Sequence, residues 1–465
     1  MTQADPHHPS KAETDRSCPS ASSTDAPGAP AWSWWRSPWV WGAMLLAVVL
    51  ALPSLSVGMW CAELCTVDLC SGSWSQCVEM WREDQSPPAY YVLVWLLFQV
   101  VPPGAFSVRI LSLFAHLAAV VLIHAYTRRY HGERVALVAT YGLAVNATMV
   151  WFATCGRCFA LLVPLSLAIV WAYRALRWTV FTVVSIVSIW IHYSVVPLLG
   201  LIWVWDVVIH RRVFGPATRA MILIGAGASP LVLHVLGPRI KTPELYQYFD
   251  LSTGFLMAKW WFGLDVLPPM AVLVGTILLG VAILLEARHY ALEVWVAGAA
   301  LSCSAAFSAF VYPAFHPKFV LWTLPFALIC MASLLSGERL RAVAWAWIVI
   351  AALGTGRGGG YERSSDIQEA EALAAQISPR DRVLTSRMPP PKPYWRLEQF
   401  LRTLPRKGRA TPSTWLLQGT PDAHGMPSLN HGYRVLRYEG VPATPPTSWV
   451  KYAPMETLLE PIPNN

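Results

Sequence analysis

Charged side chains are scarce in this chain. They make up 13% of its 465 residues, which is about half the share in an average soluble domain. Hydrophobic residues account for 55% of the chain, and its mean hydropathy is +0.43. This composition excludes an ordinary soluble protein, a disordered chain and a coiled coil. The sequence predicts instead that most of the chain lies in lipid.

The N-terminal segment lacks any apolar run. Residues 1–31 are rich in Ser, Pro, Ala and Asp, and such a segment cannot bury a core. We therefore expect residues 1–37 to form a disordered cytoplasmic tail. The first apolar stretch begins near Trp39 and is too long for the apolar region of a signal peptide, so no signal peptide is predicted.

Cysteines are too few for a disulfide scaffold, with nine in the whole chain. Four of them nevertheless fall close together, at Cys61, Cys65, Cys70 and Cys77. In an oxidising compartment this group predicts at least one disulfide. A zinc site is the alternative that the same spacing allows.

Long apolar runs are abundant. A membrane helix needs about 20 apolar residues, and the sequence contains about eleven runs that meet this need or approach it. They are 38–60, 106–126, 134–153, 158–176, 179–194, 195–210, 218–236, 266–286, 291–311, 318–336 and 339–354. The apolar run 88–102 has only 15 residues. The fold class predicted is an all-α polytopic membrane protein with about eleven transmembrane helices.

The distribution of Lys and Arg predicts the topology. The net charge of +8 comes from short basic clusters between apolar runs, a pattern that indicates membrane orientation and not a nucleic-acid partner. If 88–102 lies along the surface, the loop 127–134 and four further basic clusters are cytoplasmic. Arg239 with Lys241 is the main exception, in the predicted outer loop 237–265.

This topology divides the chain into three parts. The tail 1–37 is followed by a membrane domain at 38–354, whose first outer loop, 61–105, contains a juxtamembrane helix. Residues 355–465 follow a Gly-rich linker and form a predicted extracytoplasmic domain of α/β type. Within it we expect a helix at Asp366–Ile377 and a short strand at Arg382–Thr385.

Ionisable residues collect on the predicted outer side. Arg109, Arg157, His192 and Lys318 are candidates for binding an anionic phosphate, and Glu63 and Asp84 are candidates for a general base. Each has a structural alternative. The cations could snorkel to the interface, His192 could be a buried histidine, Glu63 could be a solvated loop carboxylate, and Asp84 could cap the helix after Pro87-Pro88.

Six segments resemble membrane-embedded glycosyltransferases of the GT-C fold, in particular the protein-mannosyltransferase and lipid A aminoarabinose-transferase group (glycosyltransferase family 39). They are WCAELCT at Trp60–Thr66, DQSPPAYY at Asp84–Tyr91, VRILSL at Val108–Leu113, WFATCGRCFAL at Trp151–Leu161, IHYS at Ile191–Ser194 and PKFVLWTLP at Pro317–Pro325. They occur in the order found in that group. The resemblance implies transfer of a sugar from a polyprenyl-phosphate carrier at the outer face.

The sequence departs from that group at the acid–base positions. Ala62 stands where the group has the Asp assigned as catalytic base, whereas the neighbouring Glu63 is retained. Ser86 takes the place of a basic residue before Pro-Pro, and Arg157 survives in a turn that has lost its Glu. Positions expected to contact phosphate are therefore better preserved than positions expected to move protons.

These features together predict an inverting glycosyltransferase. Arg109, Arg157, His192 and Lys318 would bind the carrier phosphate, and Glu63, or failing it Asp84, would take the proton of the acceptor. The expected partners are a polyprenyl-phosphate-linked sugar, a lipid, glycan or protein acceptor, and membrane lipids, with no nucleic acid. A divalent metal ion is a candidate cofactor, and the expected location is the bacterial inner membrane. A non-catalytic lipid-phosphate binder or scaffold on the same fold is the main alternative, and a transporter of lipid-linked sugars is a weaker one.

Overall fold

The structure is a computed structural model. It describes residues 37–55, 61–83, 86–211, 213–236, 280, 291–310, 317–356, 382–385, 413–419, 433–439 and 460–461. The predicted tail, the loop 237–265, the span 266–286, the helix 366–377 and the base candidate Asp84 lie outside the described residues or almost entirely so.

Helices make up nearly all of the described part before residue 357. Numbered over the described residues, they are α1 Pro38–Leu55, α2 Cys61–Cys70, α3 Trp74–Glu83, α4 Ala89–Phe98, α5 Ala105–His131, α6 Glu133–Ala144, α7 Ala147–Ala153, α8 Phe159–Arg174, α9 Trp178–Ile191, α10 Val196–His210, α11 Pro216–Leu236, α12 Ala291–Val294, α13 Ala300–Phe310, α14 Pro317–Val320, α15 Leu324–Leu335 and α16 Arg341–Gly356. A π-helical turn, Trp295–Ala299, joins α12 to α13. Short 3₁₀ turns precede α10, α15 and α16.

The predicted spans coincide with these helices. Every span predicted from the sequence, apart from 266–286, overlaps a helix or a helix pair. Four of the described helices or joined helices are long and apolar enough to cross a bilayer, or five if the bent pair α6 and α7 is one span. The chain is thus an all-α polytopic membrane protein in its helical part, and the count of eleven spans stays a prediction.

The short helix α4 fits the predicted juxtamembrane position. It has ten residues, which correspond to a rise of about 15 Å, whereas the hydrocarbon core is about 30 Å thick. α4 packs against α2, α5 and α9. It is therefore part of the helix assembly and too short to cross the membrane alone.

Small residues bring α1 close to the rest of the bundle. Ala43, Ala47 and Ala51 recur every four residues, which places them on one face of α1, and all three are fully buried. They pack in clusters with Val120 and Leu113 of α5 and with Ala144 and Val150. In lipid, where apolar side chains gain little by leaving the solvent, helices associate through such close packing of small residues.

The pair α6 and α7 is one broken helix with a bend of 56°. A break in lipid must satisfy the backbone groups that it frees. Here His116 Nε2 lies 3.2 Å from the carbonyl oxygen of Leu143, and Thr355 donates to the carbonyl of Val145 at 2.7 Å. Asn146 caps the second half by accepting the N–H of Met149. The bend therefore occurs where side chains of α5 and α16 replace the helical hydrogen bonds.

The C-terminal part contains a four-stranded sheet. Its strands are β1 Arg382–Thr385, β2 Ser413–Gly419, β3 Tyr433–Glu439 and β4 Glu460–Pro461, in the order β3-β2-β1-β4. β1 runs parallel to β2, and the two outer pairs are antiparallel. The strand predicted at Arg382–Thr385 is confirmed, whereas the other three strands were not predicted from the sequence.

Glu293 is the centre of a buried polar cluster on the side of the bundle predicted to be cytoplasmic. One of its carboxylate oxygens accepts from Arg174 Nη1 at 2.5 Å, from His131 Nε2 at 2.9 Å and from the hydroxyl of Tyr126. The Arg174 guanidinium also lies 4.0 Å from the centroid of the Tyr130 ring. These contacts join α5, α8 and α12, which are distant in sequence. Glu293 is thus an internal anchor of the bundle.

We expect Glu293→Gln to destabilise the protein strongly, because it leaves the half-buried Arg174 and the buried side chain of His131 without their carboxylate. Removing one partner of a buried ion pair costs about 3–5 kcal/mol. Thermal unfolding of the purified full chain in detergent would show a clear fall in Tm. The control is Glu338→Gln, since the Arg134–Glu338 pair is exposed on both sides and should contribute little. Equal effects of the two variants would contradict this role of Glu293.

Candidate functional site

A buried ion pair links the first outer loop to α5. Arg109 donates through Nε to Oε1 of Glu63 at 2.8 Å and through Nη2 to Oε2 at 2.5 Å, and neither side chain is exposed. The Nη1 group of Arg109 donates to the carbonyls of Ser54 and Leu55 in the last turn of α1. Arg109 therefore donates hydrogen bonds to the carbonyls at the end of α1 and to the carboxylate of Glu63 at the same time. The forked arrangement of N–H groups in a guanidinium makes this possible.

The same carboxylate holds the turn between α7 and α8. The backbone N–H of Gly156 donates to Oε1 of Glu63 at 2.7 Å. A side chain at this position is excluded, because a Cβ on Gly156 would lie 2.6 Å from Cγ1 of Val108. Ser112 completes the attachment by donating to the carbonyls of Cys155 and Arg157. The turn that carries Arg157 is thus fixed from two sides.

The segment Val108–Leu113 has a specific purpose in this arrangement. Val108 packs against Gly156, Arg109 binds Glu63, and Ser112 binds the turn carbonyls. Positions 108, 109 and 112 share one side of α5 because residues three or four apart are neighbours on a helix. One helix face therefore connects α1, the first outer loop and the α7–α8 turn.

Three predicted cationic or polar residues form a second group beside this network. Arg157 and Lys318 both exert their positive charge on the imidazole of His192. The ring of Phe159 lies 5.2 Å from the His192 ring, between centroids, and 5.9 Å from Nζ of Lys318. The side chains of Arg157 and Lys318 are half-buried. We call Arg157, His192 and Lys318 the cationic group.

The hydrogen bonding of His192 determines what it can offer a ligand. Its Nδ1 accepts the backbone N–H of Ser194 at 3.1 Å. The proton of a neutral ring is then on Nε2, which makes that nitrogen a donor. Arg157 supplies guanidinium donors, one of which also reaches Thr66 at 3.3 Å, and Lys318 supplies an ammonium group. The cationic group is suited to an anion with several oxygens, such as a phosphate.

The predicted site residues thus separate into two sets. The sequence placed Arg109 with the phosphate ligands, but its donors are directed at Glu63 and at α1. Glu63, predicted as a base, is fully buried with both oxygens engaged. Asp84 lies outside the described residues. Arg157, His192 and Lys318 lie near one another in the structure, and their role as phosphate ligands stays a prediction.

The described residues do not fit a divalent metal. No group of three His, Cys, Asp or Glu side chains comes together in the described part of the chain, and the carboxylate of Glu63 is already bound by Arg109. We therefore assign no chemical step to a metal ion.

Two of the four loop cysteines can be placed. Cys70 Sγ donates to the carbonyl of Tyr91, and Cys77 Sγ donates to the carbonyl of Gly72. Burial raises the pKa of the Cys77 thiol, and this disfavours the thiolate form that a zinc ligand requires. The side chains of Cys61 and Cys65 lie outside the described residues, so the disulfide within this loop remains a prediction.

Sequence reasoning missed several contributors to the site. Thr66, Tyr90, Ser112 and Phe159 all lie inside the segments that carry the family resemblance, yet none was singled out. Neutral side chains give little chemical signal in a sequence. Thr66, Ser112 and Phe159 lie two or three residues from a charged motif residue, whereas Tyr90 lies six residues after Asp84.

We expect the Glu63–Arg109 pair to be strongly coupled in stability. Glu63→Met or Arg109→Met alone would leave a buried charge without its partner and cost about 3–5 kcal/mol. The double variant should lose less than the sum of the two, because no unpaired charge remains. A double-mutant cycle on Tm, with the exposed Arg128–Glu133 pair as control, measures this coupling. Additive losses at Glu63 and Arg109 would refute it.

The sequence comparisons do not assign the chain to a family. No family model matches the chain, and no curated protein sequence matches it. Any assignment by similarity must therefore come from the fold.

Solved structures do resemble the chain. The crystal structure of ArnT from Cupriavidus metallidurans bound to undecaprenyl phosphate superposes with a TM-score of 0.53 at 12% identity, over 83% of this chain and 93% of that one. The apo structure of ArnT gives a TM-score of 0.49 at 14% identity, over 73% of this chain and 63% of that one. The chain therefore spans less than two thirds of the apo ArnT chain in that alignment. At these identities the likeness concerns the fold alone, and the chain is an all-α polytopic membrane protein with the GT-C type of fold that its motifs predict.

Proposed function

We propose that this protein is a membrane glycosyltransferase that moves a sugar from a polyprenyl-phosphate carrier to an acceptor at the extracytoplasmic face. The observation that carries the proposal is the cationic group, in which Arg157, His192 and Lys318 converge from three separate segments. The ArnT structure with bound undecaprenyl phosphate supports a lipid-phosphate ligand for a fold of this kind.

The cationic group would act on the leaving group. The acceptor oxygen attacks the anomeric carbon of the sugar, and the bond from that carbon to the phosphate oxygen breaks. The phosphate leaves on the lipid with the bonding electron pair. Arg157 and Lys318 would stabilise the charge that develops there, and the Nε2–H of His192 would donate to a phosphate oxygen. Such preorganised electrostatic stabilisation is commonly the largest contribution to catalysis.

The proton of the acceptor needs a base. A general base must come within hydrogen-bond reach of the proton that it removes. Glu63 is fully buried and held by Arg109 and Gly156, so we assign it the task of positioning the turn that carries Arg157. We assign the base to Asp84, on sequence grounds alone. The inversion of the sugar follows from a single displacement.

The compartment and the partners complete the proposal. We place the site and residues 355–465 outside the cytoplasm, in a bacterial inner membrane, because the basic clusters of the sequence then face inward. The acceptor belongs to the class of lipids, glycans or proteins with a free nucleophilic group.

A second candidate function is a non-catalytic binder of lipid phosphate. Two observations favour it: Ala62 occupies the position where the resemblance implies an Asp, and Glu63 is locked in an ion pair. Such a protein would retain the cationic group and need no base. Binding and transfer must therefore be measured separately.

For binding, we expect Arg157→Ala to weaken the affinity for undecaprenyl phosphate by about 10- to 150-fold, because a charge-assisted hydrogen bond contributes about 1.5–3 kcal/mol. Lys318→Ala should act in the same direction. Binding would be titrated with purified full-length chain in nanodiscs. Arg134→Ala is the matched control, since that Arg is exposed and pairs with Glu338. Unchanged affinity in both Arg157→Ala and Lys318→Ala would sink the assignment of the cationic group.

For transfer, we expect Asp84→Asn to slow sugar release from a labelled polyprenyl-phosphate donor by about 10²- to 10⁴-fold, the usual contribution of a general base. Donor binding should remain near that of the wild type. If the wild type binds the carrier through Arg157 but no acceptor mixture yields transfer, the binder takes the place of the enzyme.

A further inference from the structure

The hydroxyl of Tyr90 is buried without a partner. Tyr90 lies in α4 with only 2% of its surface exposed. Among the residues that the structure describes, no donor or acceptor comes within hydrogen-bond distance of its oxygen. Leaving a buried hydroxyl unsatisfied costs about 1–3 kcal/mol, and buried polar groups in native proteins nearly always have a partner. The hydroxyl of Tyr90 is therefore a candidate to bind a molecule that is not part of the described chain.

The surroundings of Tyr90 indicate what that partner is. The helix α2 connects the two residues: Cys70 Sγ donates to the carbonyl of Tyr91, the residue after Tyr90, and Arg157 Nη1 donates to the hydroxyl of Thr66. Arg157, Cys158, Cys70 and Tyr91 are also the ionisable neighbours of the Tyr90 hydroxyl. The hydroxyl therefore lies close to the turn that carries Arg157.

The side chains of the cationic group share one property: they donate hydrogen bonds. A group of donors favours an acceptor, such as an anionic oxygen, as its ligand. Arg157, Lys318 and the Nε2–H of neutral His192 can only donate. A phenol can donate or accept, but beside a bound anion its O–H donates to the anionic oxygen. We propose that Tyr90 is a further binding residue of this site, whose O–H donates to an oxygen of the phosphate held by Arg157. This inference rests on the proposed function, and it adds the first outer loop to the phosphate ligands.

The isosteric variant Tyr90→Phe separates this role from a structural one. It removes an oxygen that has no partner among the described residues, so the Tm without ligand should stay equal or rise. Its Kd for undecaprenyl phosphate should increase about tenfold or more, as expected for loss of a hydrogen bond to a charged oxygen. Binding of the neutral alcohol undecaprenol, which lacks the phosphate, should not change.

Tyr173→Phe is the matched control. Tyr173 is a buried tyrosine of α8 whose hydroxyl donates to Asp206 at 3.0 Å. Its loss should lower the Tm and leave the Kd for undecaprenyl phosphate unchanged. The two variants are thus expected to give opposite results on both readouts.

The possible failures are distinguishable. If the wild type binds undecaprenyl phosphate in an Arg157-dependent manner but Tyr90→Phe binds equally well, the Tyr90 assignment is wrong and a bound water satisfies the hydroxyl. The Tyr90 assignment is also wrong if Tyr90→Phe weakens the binding of undecaprenol and of undecaprenyl phosphate to the same extent. If Arg157→Ala and Lys318→Ala also bind like the wild type, the proposed function fails, and this inference fails with it.

Discussion

The buried pair of Glu63 and Arg109 is the constraint on which the outer end of the bundle depends. Moving two charges out of water costs several kcal/mol for each ion, and their attraction offsets this only when the geometry is good and the remaining polar atoms are satisfied. Both conditions hold: the contact is two-pronged, Gly156 donates to the carboxylate, and the carbonyls of α1 accept from the guanidinium. Because this arrangement tolerates little displacement, it fixes α1, α5 and the α7–α8 turn relative to one another.

The same accounting of charge separates Arg109 from Arg157 and Lys318. Arg109 is neutralised inside the protein, whereas Arg157 and Lys318 are half-buried and act on a neutral histidine donor. In the proposed function Arg109 holds the site together and Arg157 binds the ligand, although the two are indistinguishable by residue type.

The sequence was informative about the fold and partly informative about the site. Apolar runs and basic loops predicted the helices because lipid permits few alternatives to a helix. The motif segments predicted that Arg157, His192 and Lys318 would meet. Ion pairing could not be predicted, since Glu63 and Arg109 are 46 positions apart and nothing local indicates their contact. The burial of Glu293 could not be predicted either, since its partners come from α5 and α8. The unpartnered hydroxyl of Tyr90 is visible only in three dimensions.

The two ends of the bundle use buried charge in different ways, and this bears on whether the protein is an enzyme. At the end of the bundle predicted to be cytoplasmic, Glu293 accepts from three donors, and at the end predicted to be outside Glu63 accepts from Arg109 and Gly156. Each described carboxylate that is buried near these clusters is therefore committed to holding helices. Phosphate binding needs cations that can reach a ligand, and the proposed function assigns this role to the half-buried Arg157 and Lys318. Sugar transfer needs in addition a carboxylate that is committed to nothing else, so the catalytic question reduces to the surroundings of Asp84.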